Sequence, residues 1–308
     1  MRSMRQSLNV WLAAARPKTL PLAFASIATG SSLALFNGHF SLPVMLLALL
    51  TAILLQVLSN LANDYGDALK GTDNQDRIGP VRTMQSGAVT EATMKSAILI
   101  NIAITILSGL ALIFYALQSP TSIAAFLALG LLAIVAAIAY TVGNKPYGYI
   151  GLGDLSVFIF FGLLGVAGTF FLHTGFIDAT IFLPSIGCGL LAVAVLNINN
   201  MRDIDNDAAC GKRTMAVRLG AERAKRYHML LLTGGIAPFI VFLALQNTAL
   251  AWWLSMLLAV TLVVNHGRAV LAATSPTELA PMMPVIVKCA LITNLLFSIV
   301  ITGQTLMT

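Results

Sequence analysis

Long apolar runs dominate the pattern of the chain. Nine stretches read as membrane spans: Leu20–Phe36, Pro43–Ala62, Met94–Ala116, Ser122–Val142, Leu155–His173, Ile181–Ile198, His228–Leu245, Leu250–Asn265 and Val285–Thr302. About 20 helical residues cross a hydrocarbon core, and roughly 17 to 25 are workable. The eighth run is the shortest, and the segment after it, Arg268 to Pro284, reads as interfacial. In lipid every backbone polar group must be paired internally, which leaves helix bundles or closed barrels. Barrel strands alternate apolar and polar residues, and these runs do not. The predicted fold is therefore all-α, a polytopic membrane bundle of nine transmembrane helices forming one domain over residues 1–308.

Composition agrees with the pattern. Of 308 residues, 58% are hydrophobic and 10% charged, and mean hydropathy is +0.87. A soluble domain carries roughly 25% charged residues, so lipid must cover much of this surface. The net charge of +6 bears on orientation. With the N-terminus placed in the cytoplasm, all 18 Lys and Arg fall on the cytoplasmic side of the nine spans. The loops near Gly38, Ser119, Gly175 and Asn247 carry none. That is the positive-inside rule, and it predicts an extracytoplasmic C-terminus. It also accounts for the basic residues without nucleic acid. Cys188, Cys210 and Cys289 are far apart and suggest neither a disulfide framework nor a zinc site. The first eighteen residues are basic and mildly amphipathic, and the apolar run after them is a full span rather than a signal peptide.

The acids are not spread evenly. Asp64, Asp67, Asp73, Asp76 and Glu91 follow the second span, and Asp203, Asp205, Asp207 and Glu222 follow the sixth. The two regions form a weak internal repeat. Asn63-Asp64-Tyr65-Gly66-Asp67 precedes Arg82-Thr83-Met84, and Asn199-Asn200-Met201-Arg202-Asp203 precedes Arg213-Thr214-Met215. Asn199, Asp203 and Asp207 are spaced by four, which puts them on one helix face. Like charges at that spacing repel, and a divalent cation removes the repulsion. Mg²⁺ binds a few carboxylates and takes its other ligands from water and substrate phosphates. In the first region Asn63 and Asp67 share the spacing, Gly71 ends the helix, and Asp73 returns from a turn. Asn60 and Asp64 have the same spacing, so two inward-facing pairs are open. Arg82, Lys145, Lys212 and Arg213 are placed either to bind phosphate oxygens or simply to orient the bundle. Acid clusters with flanking bases at the mouth of an apolar bundle point to a diphosphate carried on a lipid.

Several further stretches carry a resemblance. They are Ala15-Arg16-Pro17-Lys18-Thr19-Leu20-Pro21, the Asn63–Asp67 block with Gly71 and Asp73, Gly79-Pro80-Val81-Arg82, Tyr140-Thr141 with Gly143, and Tyr149-Ile150-Gly151-Leu152-Gly153-Asp154. On these, nearly the whole chain resembles the UbiA superfamily of intramembrane aromatic prenyltransferases. Within it, the chain looks most like the branch that prenylates 1,4-dihydroxy-2-naphthoate in menaquinone synthesis. The resemblance implies a bacterial cytoplasmic (inner) membrane enzyme with Asp-rich motifs on loops after helices two and six. It implies two Mg²⁺ ions held by Asn63, Asp67, Asp73, Asn199, Asp203 and Asp207, with Arg82, Lys212 and Arg213 on the diphosphate. The step from Asp67 to Asp73 is longer than the superfamily's usual spacing. Lys145 sits one position late for the superfamily's Tyr-x3-Lys, which begins at Tyr140.

The implied reaction takes a polyprenyl diphosphate and the naphthoate to demethylmenaquinone, diphosphate and CO₂. Metals and cations stabilise the leaving oxygen. Tyr140 either faces the allylic cation or belongs to an interfacial belt. Asp154 is either a base toward the acceptor or an N-terminal helix cap. Three other readings are a sister enzyme acting on 4-hydroxybenzoate, a secondary transporter and a CDP-alcohol phosphotransferase. A transporter would hold its ionisable groups near mid-membrane, whereas these acids lie at one face. The phosphotransferase's longer Asp-rich motif is absent.

Overall fold

The computed structural model describes residues 4–307, with side chains from Leu8 onward. Among the described residues every regular element is a helix, and there is no strand. Helix α1 (Met4–Ala15) lies at the loop-rich end and meets α2 (Leu20–Phe36) at a 56° elbow. Then follow α3 (Leu42–Leu69), α4 (Glu91–Ala116) and α5 (Pro120–Ala139). The second half holds α6 (Gly153–Thr174), α7 (Ala179–Arg202), α8 (Ala221–Leu245), α9 (Leu250–Ala272) and α10 (Met282–Met307). Among the described residues eight helices are long and apolar enough to span a membrane, and nine if the bent pair Leu8–Ala15 and Leu20–Phe36 counts as one.

Local chemistry sets the helix starts. The Thr90 hydroxyl accepts from the Thr93 N–H at 3.3 Å, and Ser119 caps α5 with Pro120 at its first position. In α6 the stretch Phe158–Gly168 is a π-helix. Polar pairs tie helices together inside the apolar slab. Thr29 donates to Asn294 at 2.9 Å, and the Thr51 and Ser108 hydroxyls are 2.7 Å apart. The His228 and His266 rings meet at 3.0 Å between α8 and α9. Such interhelical bonds add about 0.6 kcal/mol each on average.

Two boundaries differ from the sequence reading. Helix α3 runs seven residues past the apolar stretch that ends at Ala62, so Asn63, Asp64 and Asp67 stand on the helix, as the spacing and Gly71 predict, and not on the loop that the resemblance implies. Gly71 then turns the chain with φ +71°, a left-handed conformation that favours glycine. Helix α9 continues past Asn265 to Ala272, and only a short turn, Pro276–Leu279, precedes α10. An exposed arginine at a helix end keeps its head in water while its stem lies along the helix, so Arg268 does not stop α9. The Lys225 ammonium then bonds the Ala273 carbonyl at 2.7 Å, just past the C-terminus of α9.

Candidate active site

A cavity of about 350 Å³ opens among the loops and runs down between α2, α3, α4, α5, α6 and α7. Both Asn63 and Ala48 of α3 line it, fifteen residues apart, which at the helical rise makes it about 22 Å deep. Its mouth is polar, with Arg16, Asn63, Asp67, Arg77, Arg82, Asn199, Asp203 and Lys212 in the wall. Below, the wall is mostly apolar, down to Phe126, Leu112 and Leu172, with a few hydroxyls such as Ser26 and Thr51.

Three side chains brought by the end of α3 are fixed individually. The Tyr149 hydroxyl donates to Asp67 Oδ1 at 2.7 Å and lies 2.6 Å from the Thr72 hydroxyl. Asp64 is buried and receives the Thr83 hydroxyl and N–H. The Asn63 side-chain oxygen accepts from Thr141 at 3.2 Å. On the other side α7 ends at Arg202, and a new turn, Ile204–Ala209, begins after Asp203. The helix expected through Asn199, Asp203 and Asp207 is thus interrupted. The spacing survives, because the Asp203 N–H bonds the Asn199 carbonyl at 3.3 Å and the Asp207 N–H bonds that of Asp203 at 2.8 Å.

Cations join the two acid groups. Arg77 lies 3.3 Å from Asp73 and 3.5 Å from Asp203, so one guanidinium spans both motifs. Arg202 reaches Asp203 at 2.5 and 3.0 Å and Asn199 at 2.9 Å. Lys212 stands 3.7 Å from Asp67 and 3.6 Å from Asp207. The Gly79 N–H also bonds Asp203, at 3.3 Å. A Cβ at that position would come within 2.5 Å of the guanidinium ends of both Arg77 and Arg202, so any larger residue there would have to push these two side chains aside.

The charged groups are perturbed accordingly. Burial and the neighbouring Asp67 push the Asp73 carboxyl up. Burial raises Asp207 to about 6, against the opposing pull of Lys212. Burial also works on Asp203, but the Arg202 hydrogen bond with Arg77 and Lys212 holds its carboxyl below the ordinary value. Burial lowers Arg82 to about 8, with Arg16 and Arg77 adding to the effect. Burial and Asp67 push the Tyr149 phenol up, so it remains a hydrogen-bond donor.

The expected site residues separate into two sets. Asn63, Asp67, Asn199, Asp203, Arg82, Lys212 and Tyr140 line the cavity together. Asp73 and Asp207 are buried behind its wall, where Asp73 touches Arg77 and Arg82. Lys145 and Arg213 are a correction. Both side chains are exposed and neither lines the cavity. Lys145 sits in the turn after Tyr140 that points to water. Arg213 contributes its backbone N–H to the Tyr149 carbonyl at 2.9 Å. Asp154 also differs from expectation. It accepts from the Tyr227 hydroxyl at 2.9 Å, does not line the cavity, and does not cap its helix, whose cap is Leu152. Sequence reasoning gave Arg77 and Arg202 no role at the site. Arg202 was findable beside Asp203, but nothing in the spacing of Arg77 links it to Asp203, just past the end of α7.

The donor set is oxygen-rich, as a hard divalent cation requires. Both carboxylate oxygens of Asp73 and one of Asp64 are buried without a hydrogen bond. Among the described residues no three Asp, Glu, His or Cys side chains already converge as a cage. A site that shares its metal with substrate phosphates needs no such cage. The residues present fit Mg²⁺ on these terms.

The sequence profile of the UbiA prenyltransferase family matches residues 22–288. The chain belongs to this family of multi-pass membrane prenyltransferases. It is 52% identical to the 1,4-dihydroxy-2-naphthoate octaprenyltransferase of Escherichia coli (strain K12), covering 94% of each chain. It is 49% identical to the enzyme of that name from Haemophilus influenzae, covering 97% of each. The fold is that of a UbiA homolog from Archaeoglobus fulgidus bound to GPP and Mg²⁺, with TM-score 0.62 at 15% identity over 94% of this chain and 99% of that one.

Proposed function

We infer that this enzyme transfers a polyprenyl group from its diphosphate to 1,4-dihydroxy-2-naphthoate, releasing diphosphate and CO₂. The observation that carries the reading is the cavity: a mouth of paired Asn and Asp with cations, continuous with an apolar channel. A lipid diphosphate has that shape and polarity. Near-full-length identity to enzymes named for the naphthoate supports the choice of acceptor.

Asn63, Asp67, Asn199 and Asp203 would hold Mg²⁺, with Asp73 and Asp64 close behind. The metal supplies charge neutralisation of the leaving diphosphate. The remaining chemistry belongs to the chain. Arg77, Arg82 and Lys212 face the phosphate oxygens and stabilise the charge that grows as the allylic C–O bond breaks. The Tyr149 hydroxyl keeps Asp67 in orientation. The Tyr140 ring at the mouth faces the positive charge on the prenyl carbon. The apolar walls exclude water that would capture that carbon. The ring carbon attacks, the carbon–carboxylate bond breaks, and its electron pair restores aromaticity. No oxidant enters, so the product leaves at the hydroquinone level of demethylmenaquinone. The whole chain acts as one domain.

Purified protein with octaprenyl diphosphate, the naphthoate and Mg²⁺ is expected to form this product and to stop when EDTA is added. Product formed equally well from 4-hydroxybenzoate would move the enzyme to the sister class.

Orientation follows from charge. The N-terminus and both acid motifs face the cytoplasm of a bacterial inner membrane, and the C-terminus faces out. A reporter fused after Thr308 is expected to read extracytoplasmic, and a cytoplasmic signal would mean that the elbow pair α1–α2 does not cross as one span.

A further inference from the structure

Four cations line the cavity: Arg16, Arg77, Arg82 and Lys212. Three of them have carboxylate partners, at Asp73 and Asp203 for Arg77, at Asp73 for Arg82, and at Asp67 and Asp207 for Lys212. Among the described residues Arg16 has none within ion-pair distance, and its Nη2 is shielded from solvent without a hydrogen bond. An unpaired guanidinium nitrogen away from water costs free energy unless a ligand completes it.

The backbone at Arg16 is equally unusual. Its φ is +51°, a left-handed conformation that costs a non-glycine residue about 1–2 kcal/mol. The next residue is Pro17, which restricts Arg16 further. The elbow that imposes this conformation is tied down. Asn60 donates to the Ala15 carbonyl at 2.9 Å, and the Thr19 hydroxyl donates to the Arg16 carbonyl at 2.9 Å. Glycine would relieve the strain at once, yet the position holds a long cation directed into the cavity.

We propose that Arg16 is the binding residue for the carboxylate of the aromatic acceptor, and that it sets the ring against the reacting prenyl carbon. This role rests on the acceptor assignment made above. Charge favours the carboxylate over the diphosphate. The diphosphate already has Arg77, Arg82, Lys212 and the metal, whereas the acceptor's negative charge has no other free cation in the wall. Geometry agrees, since a planar guanidinium matches a planar carboxylate with two parallel bonds. Beside Arg16 the wall carries Thr19, Gln56 and Ser59, polar groups of the kind a dihydroxylated ring needs.

The test uses the full chain in detergent without donor. It compares the affinity for 1,4-dihydroxy-2-naphthoate with that for 1,4-dihydroxynaphthalene, which lacks the carboxylate. Wild-type protein is expected to prefer the naphthoate by ~10- to 100-fold, the range for a hydrogen bond to a charged group. Arg16→Gln and Arg16→Gly should bind both rings alike, and Arg16→Lys should fall between. Arg16→Gly should melt no lower than wild type, which separates a binding role from a structural one. Binding of inorganic diphosphate with Mn²⁺ should change less than about twofold on the same reasoning. A naphthoate preference that survives in Arg16→Gln or Arg16→Gly overturns the proposal. So does lost diphosphate binding with that preference intact, which would reassign Arg16 to the donor. Wild-type protein that binds neither ring overturns the acceptor assignment and this role with it.

Discussion

Asp67→Asn and Asp203→Asn are each expected to lower turnover by at least about 10²- to 10³-fold, the loss typical of removing one preorganised electrostatic group. Asparagine keeps an oxygen for the Tyr149 hydroxyl at Asp67 and for the Arg202 guanidinium at Asp203, so local structure persists. What disappears is the negative charge. At Asp67 this leaves Lys212 with Asp207 alone, and at Asp203 it leaves Arg202 with the neutral Asn199 oxygen. Breaking a buried ion pair on one side costs about 3–5 kcal/mol. Both variants should therefore melt lower as well as turn over more slowly. Product formation in detergent, with and without EDTA, and a thermal melt separate the two effects. Wild-type rates in either folded variant, or activity that persists in EDTA, would sink the metal-assisted reading.

Gly130→Trp should weaken use of long donors by roughly 100-fold and spare short ones. Phe126, Gly130, Ala133 and Ala137 line the cavity along one face of α5 at helical spacing. Gly130 lies about 15 Å below Tyr140 by helical rise. A Cβ built there meets nothing within 4 Å, so a side chain at this position starts from open space beside the channel. Excluding about four carbons of tail from burial forfeits about 3 kcal/mol, or roughly 100-fold in affinity. The measurement is kcat/KM for octaprenyl and geranyl diphosphates. An equal loss with both donors would mean that the channel does not hold the tail.

The sequence disclosed the parts of this molecule that obey a period. Apolar runs marked the helices, and the four-residue step located Asn63 with Asp67 and Asn199 with Asp203 on the cavity wall. Residues outside a regular element carry no such signal. Lys145 and Arg213 stand beside acidic motifs in the chain, but their turns direct them to solvent. Arg77 has the opposite history, a loop residue that reaches a carboxylate 126 positions away. Asp154 was legible as a carboxylate near the site, and its attachment to Tyr227 was not, because α6 and α8 come together only in the fold. The overrun of α9 past Asn265 was hidden for a simpler reason: hydropathy marks where lipid ends, and a helix does not have to end there.

The apolar depth of the cavity also constrains where rate acceleration can arise. On the proposed reading the same hydrocarbon tail would occupy it before, during and after the reaction, against the wall formed by Leu112, Phe126 and Leu172. Its contribution is uniform binding, which deepens the substrate well, the barrier top and the product well by equal amounts. A longer tail therefore holds the product as tightly as it recruits the substrate, and release slows in step with capture. On that reading the differential stabilisation that lowers the barrier is confined to the polar mouth of the cavity, where Asp67, Asp203, Arg77 and Lys212 stand in the wall and the reacting groups change charge.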